Sequence, residues 1–188
     1  MRPHHALAAF TLAGASFSGC TPLVEIDAPV IEVTQPNLQF PAAPAGATSG
    51  TTVKGSFVLR NARLGASSSP DAGSYKKIKR LDLTRLVFKT NTGVVDFAFL
   101  DHLTVEATNA ACYSAPTADR PVVQILDYEV SHQPEIGAEL PIPLSPPVDM
   151  LPLWGRTSLC VTVEATGNPP KVDWSIDVVF SLSIKINQ

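Results

Sequence analysis

Lys171-Val172-Asp173-Trp174-Ser175-Ile176-Asp177-Val178-Val179-Phe180-Ser181-Leu182-Ser183-Ile184-Lys185-Ile186-Asn187 is the stretch on which the fold turns. Val172, Trp174, Ile176, Val178, Phe180, Leu182, Ile184 and Ile186 are apolar, and every residue between them except Val179 is polar. Side chains of a strand alternate between its two faces, so this pattern predicts one long, half-buried β-strand. At about 3.3 Å per residue it would run on the order of 50 Å, well beyond an ordinary strand. Its apolar face needs sheets to cover it, and the remainder of the chain supplies strand-like segments to do so.

Working backwards, Ser158–Glu164 alternates with Leu159, Val161 and Val163 inward, and Thr166-Gly167-Asn168-Pro169-Pro170 turns the chain into the final strand. Residues 131–153 carry Pro134, Pro141, Pro143, Pro146, Pro147 and Pro152, which excludes a helix and argues against a central strand. Pro121–Val130 is apolar in both phases, as expected of a strand covered on both sides. Leu86-x-Phe88, Asn91-x-Gly93 and Val95-x-Phe97-x-Phe99 read as a hairpin, with the second strand continuing in phase through Leu103, Val105 and Ala107. In the first strand Leu81 and Leu83 are out of phase with Leu86 and Phe88, which predicts a bulge near Thr84-Arg85. Val53, Phe57 and Leu59 form another strand, with Gly55 marking a bulge or a close backbone approach. Thr21–Val33, broken by Pro29, reads as an edge strand, and Gln35–Ser49 as a linker rich in Pro, Ala and Gly. No helix, internal repeat or low-complexity tract stands out. Six to eight strands joined by turn-rich connections specify an all-β antiparallel sandwich, immunoglobulin-like or transthyretin-like, rather than a membrane barrel.

The first twenty residues have a separate logic. Arg2 is followed by Ala6–Phe17, an uncharged run of small and apolar residues too short to span a bilayer as a helix. The run ends Phe17-Ser18-Gly19-Cys20, which resembles the lipobox of bacterial lipoproteins, with Phe17 where Leu is usual. The resemblance implies lipid on Cys20, cleavage just before it, and a chain held by several acyl groups, enough for stable attachment. Thr21 in place of aspartate implies the outer membrane. The expected organisation is a signal peptide over 1–19, a tether with a first edge strand and linker over 20–50, and the sandwich over 51–188.

The chain has three cysteines, an odd number for an exported protein. With Cys20 lipidated, Cys112 and Cys160 remain to pair in an oxidising compartment. Parity places Cys160 on the side of its strand opposite Leu159, Val161 and Val163. The bond is therefore expected on an outer face, fastening the 109–119 loop rather than crossing the core.

Chemistry is sparse. With a net charge of −3 the chain is mildly acidic, and nucleic acid is not an expected partner. Past the signal only His102 and His132 remain, with no metal-ligand spacing, no Gly-x-Ser-x-Gly elbow and no phosphate-cradling glycine loop. No catalytic residue, metal or cofactor is expected. Asp101-His102 diverge on a strand, so a bulge or a hydrogen-bonded buried aspartate is the plainer account of the pair. Lys76, Lys77, Lys79, Arg80, Arg85 and Lys89 either face anionic envelope components or stud an edge strand against pairing. Met150–Gly155 includes Leu153 and Trp154, which are either a partner or ligand contact or a plug closing one end of the sandwich. The expectation is a non-catalytic outer-membrane lipoprotein, anchored through Cys20, that contacts envelope proteins or polysaccharide. The alternatives are a sugar- or lipid-binding site near Trp154 and, behind it, an enzyme of a type the motifs do not reveal.

Overall fold

The computed structural model describes residues 25–27, 30–60, 78–108, 112, 122–130, 137–153 and 158–187. Among the described residues nine strands follow one another: β1 (Glu25–Asp27), β2 (Ile31–Phe40), β3 (Thr51–Arg60), β4 (Ile78–Thr90), β5 (Leu100–Thr108), β6 (Val122–Glu129), β7 (Glu139–Asp149), β8 (Ser158–Gly167) and β9 (Trp174–Asn187). A 3₁₀ turn, Leu151–Leu153, lies between β7 and β8.

Two antiparallel sheets stack into a sandwich. In sheet A the order is β2-β9-β4-β7, with the short β1 continuing the β2 side of β9; sheet B has the order β3-β8-β5-β6. The pairings are nested, β2 with β9, β3 with β8, β4 with β7 and β5 with β6. The chain is thus a long double ribbon, rolled up so that β9 also meets β4 and β8 also meets β5. That is the winding of a jelly roll. The expected sandwich is present, with nine strands and with a chain path unlike the immunoglobulin and transthyretin windings.

β9 is the centre of sheet A, flanked by β2 and β1 on one side and β4 on the other. Trp174, Ile176, Val178, Phe180 and Leu182 are all buried, as the alternation requires. The strand starts at Trp174 rather than Lys171, and Val172 is exposed. Ser175 and Ser181, on the supposedly water-facing side, are buried too, because β9 has neighbours on both sides. Phe180 meets Phe57 of sheet B edge-on at 5.9 Å, a contact that joins the two layers.

Several local expectations hold. β4 slips register between Leu83 and Arg85, and this bulge turns Leu81 and Leu83 inward together with Leu86 and Phe88. Gly55 is a close approach rather than a bulge: β3 pairs with β8 in unbroken register, and a Cβ at Gly55 would lie 2.8 Å from the Gln39 carbonyl oxygen. β7, rich in proline, pairs only with β4 and forms an edge.

Other expectations give way. β4 and β5 are not a hairpin; they belong to different sheets, and residues 91–99 carry the chain across the end of the sandwich. Gly93 is the corner, with φ +80°, and its missing side chain leaves room for the Asp173 carbonyl oxygen and Trp174. The linker expected from Gln35 begins only after Phe40. β2 runs through Pro36 by a register shift with Asn37 at φ +56°, and it buries Leu38 and Phe40. β1 and β2, both before residue 51, therefore belong to the sandwich. β6 is an edge strand; a register shift opposite Val105/Glu106, not cover on both sides, accounts for its two apolar phases. The lysine-studded strand is β4, which is internal to sheet A rather than an edge.

Candidate functional site

Strand direction assigns the two ends different roles. β2, β4, β6 and β8 all finish at one end, and the chain crosses there to begin β3, β5, β7 and β9. We call this the far end. β1 and the last residues of β9 pair at the opposite end, Glu25 beside Asn187. The far-end crossings are cross-linked. Asp173 Oδ1 accepts the Ala42 N–H and Asp177 Oδ1 accepts the Asn37 N–H, each at 2.8 Å. The Asn168 N–H donates to the Phe99 carbonyl, also at 2.8 Å. Beneath them Trp174 stacks on Phe40 at 4.1 Å and meets Phe99 edge-on.

An apolar hollow of about 20 Å³, enough for little more than one water, is lined by Val33, Leu59, Leu81, Met150, Leu159, Phe180 and neighbours. No group of described His, Cys, Asp and Glu side chains is arranged to hold a metal ion.

The surface with the most organised chemistry is the outer face of sheet B. Its two inner strands, β8 and β5, carry the same five residues, Thr104-Val105-Glu106-Ala107-Thr108 and Thr162-Val163-Glu164-Ala165-Thr166. They lie side by side and antiparallel, so that Thr104 faces Glu164 and Glu106 faces Thr162. Val105, Ala107, Val163 and Ala165 point inward and are buried. The alternate threonines and glutamates make a two-fold pattern outside. Threonine and valine suit a pleated surface, and the antiparallel register keeps the two glutamates from standing directly opposite each other. The pattern extends to both edge strands. Thr52 and Thr166 share a hydroxyl–hydroxyl hydrogen bond at 2.8 Å, Ser56 and Thr162 another at 3.2 Å, and Lys54 pairs with Glu164. On the far side of β5, His102 Nε2 lies 2.5 Å from Asp127 Oδ1, whose second oxygen accepts from the Gln124 side-chain amide.

His102 therefore has a carboxylate partner, but it is Asp127, not Asp101. Asp101 sits in the register shift between Leu100 and His102 and is exposed, in line with the bulge reading. The His102–Asp127 pair lies on an open sheet face. Sequence reasoning missed this pair, since residues 25 positions apart meet only through the β5–β6 register. The repeated pentapeptide was in plain view in the sequence.

The disulfide joins Cys112 and Cys160 with Cα atoms 5.0 Å apart. Cys160 is on the outer face of β8 and Cys112 lies over it, its sulfur 3.3 Å from the Phe57 carbonyl oxygen. The bond thus pins the chain after β5 across sheet B, outside the core. Leu153 is fully buried beneath the 3₁₀ turn, a core residue and not a contact surface. Trp154 and Cys20 lie outside the described residues. No described helix is long and apolar enough to cross a membrane, which leaves strands out of consideration.

Comparison with known proteins adds little. No family model matches the chain, and no curated protein matches it. Among solved structures, a chain of Desmodium yellow mottle tymovirus aligns over 100% of this chain and 97% of its own, at 13% identity and a TM-score of 0.21. A likeness that faint carries no argument about fold or function.

Proposed function

We propose that the protein is a lipid-anchored, non-catalytic module of the bacterial cell envelope, tethered to the outer membrane through Cys20, whose sandwich binds an envelope protein or polysaccharide. The observation that carries this reading is Phe17-Ser18-Gly19-Cys20 closing an uncharged apolar run, only five residues before β1 begins. Two features support it. The tether would enter at the end of the sandwich where β1 meets the end of β9, leaving the far end and the sheet faces free to meet a partner. The Cys112–Cys160 bond accounts for the other two cysteines and suits an oxidising compartment. The contact surface in this reading is the outer face of sheet B, where hydroxyls and carboxylates are held in register by cross-strand pairs.

The test is Cys20→Ala, followed by acyl labelling and membrane fractionation. Loss of the label, with the protein soluble or retained as precursor, is the expected result. Membrane retention and electrophoretic mobility equal to the wild type would reject the anchor.

A further inference from the structure

β1 is held differently from the rest of sheet A. It has three residues, and among the described strands it pairs only with the end of β9, Glu25 with Asn187, Ile26 with Ile186 and Asp27 with Lys185. β2 has eight pairs with the same strand, buries Leu38 and Phe40, and is fastened at the far end by the Asn37 N–H to Asp177. The two pairings are not one ladder. Asp27 faces Lys185 and Ile31 faces Leu182, so four steps along the N-terminal chain match three along β9. Pro29, in that interval, has no N–H to give. β1 is thus a short pairing of its own, in which a few hydrogen bonds stand against the cost of ordering three residues, terms of similar size. A pairing this short opens locally, without global unfolding. Its loss leaves the end of β9 in the sheet, because β4 lies on the other side, with Ile78 opposite Ile186 and Arg80 opposite Lys185.

We propose that β1 is a releasable strap that sets how the tethered sandwich stands on the membrane. The inference rests on the Cys20 anchor. With β1 paired, the chain leaves the domain at the end of β9, and the five steps from Cys20 to Glu25 reach at most about 18 Å. The end that carries β1 is then held toward the bilayer, and the far end points away from it. With β1 unpaired, the first held residue is Ile31, opposite Leu182 and about 17 Å farther along β9. Eleven steps then separate it from Cys20, a reach of up to about 40 Å, and the domain is free to tip onto a side. The direction of a load decides which state it favours. A pull along β9 strains the β1 pairs together and gains little length, because β1 is already extended. A sideways drag loads them one at a time, from Glu25 inward. The strap therefore holds against axial tension and yields when a partner draws the domain along the membrane.

The experiment uses the full lipidated protein on vesicles of phosphatidylethanolamine and phosphatidylglycerol. Amide hydrogen exchange is read first, and the amides of Glu25–Asp27 should exchange about tenfold or more faster than those of residues 31–35. Equal protection of the two segments would overturn the strap. Ile26→Pro together with Asp27→Pro then removes a donor to β9, whichever of the two positions supplies it. The thermal midpoint should stay within about 3 °C of the wild type, and a larger loss would make β1 part of the cooperative fold and overturn its release. A dye attached through Ala45→Cys, in the exposed far-end loop of both proteins, reports its distance from an acceptor in the lipid headgroups. Energy transfer should rise about twofold in the proline variant as the far end comes down. Transfer equal to the wild type, with the protein still on the vesicles, would overturn the strap and leave the anchor standing. Wild-type protein that does not float with the vesicles would overturn the anchor, and the strap with it.

Discussion

Sheet A and sheet B have the same number of positions across, yet they are built differently. Sheet A is irregular. β2 breaks register at Pro36-Asn37, β4 breaks it twice against β9, and β7 carries Pro141, Pro143, Pro146 and Pro147 along its edge. Sheet B has an unbroken ladder between β3 and β8 and one shift in each of its other pairings. The irregularities follow from position. β9 must serve three neighbours over 14 residues, and bulges let β4 and β2 keep their apolar side chains inward along a strand that long. The edges of sheet A are also shielded by proline, which cannot donate to a further strand. Sheet B reaches the same end with cross-strand side-chain pairs and a disulfide laid over its face.

Variants can break or sharpen this contrast. The largest effect is expected at Phe180→Asp, which buries an unpaired charge where the sheets meet; a loss of about 4 kcal/mol or more should leave the domain unfolded by circular dichroism. Ser181→Asp, one position along on the opposite face, is also buried, but between Glu32 and Arg85 in the register. It should cost about 1–2 kcal/mol, read as a lowered denaturant midpoint; a loss as great as at Phe180 would mean that the two faces of β9 are not inequivalent.

Replacing Cys112 and Cys160 together by Ala tests the clamp on sheet B. The bond closes 48 residues, so its loss should cost about 2–4 kcal/mol. Reductant should lower the wild-type midpoint to that of the variant and leave the variant where it is. A wild type indifferent to reductant would assign the bond no part in stability.

Gly55→Ala should cost about 1–3 kcal/mol, because the new methyl meets backbone at 2.8 Å where β2 crosses β3. A neutral result in thermal unfolding would show that the two edge strands are free to move apart.

The smallest effects separate the ion pairs of the two faces. Lys54→Ala removes a pair with an exposed lysine and should shift stability by no more than about 1 kcal/mol. Arg80→Ala should cost more, about 1–3 kcal/mol, since Asp82 stays buried without its guanidinium. The order of these two in chemical denaturation is the informative quantity, and its reversal would contradict the burial of Asp82.

The alternation from Trp174 to Ile186 was legible without coordinates because side-chain direction in a strand is a local property with a period of two. For the same reason the Thr84 bulge and the outer-face position of Cys160 could be read from parity alone, while proline's missing N–H argued residues 131–153 out of a central strand. Which strands pair is not local. Leu86–Phe99 has every mark of a hairpin, yet Gly93 turns the chain into the other sheet, since only at that corner can the Asp173 carbonyl and Trp174 pack against the backbone. Gln35–Phe40 has no clean alternation because its bulge shifts the phase, so its membership of sheet A depends on Asp177, 140 residues away, accepting the Asn37 N–H. The same holds for His102 and Asp127, and for the facing of the two pentapeptides. Sequence by itself determined that the chain is β-rich, which faces are apolar and which cysteines can pair, because these follow from period and count. The jelly-roll path and the exchange of partners at β9 were decided only when distant strands came into register, since pairing energy depends on the neighbour and not on the strand alone.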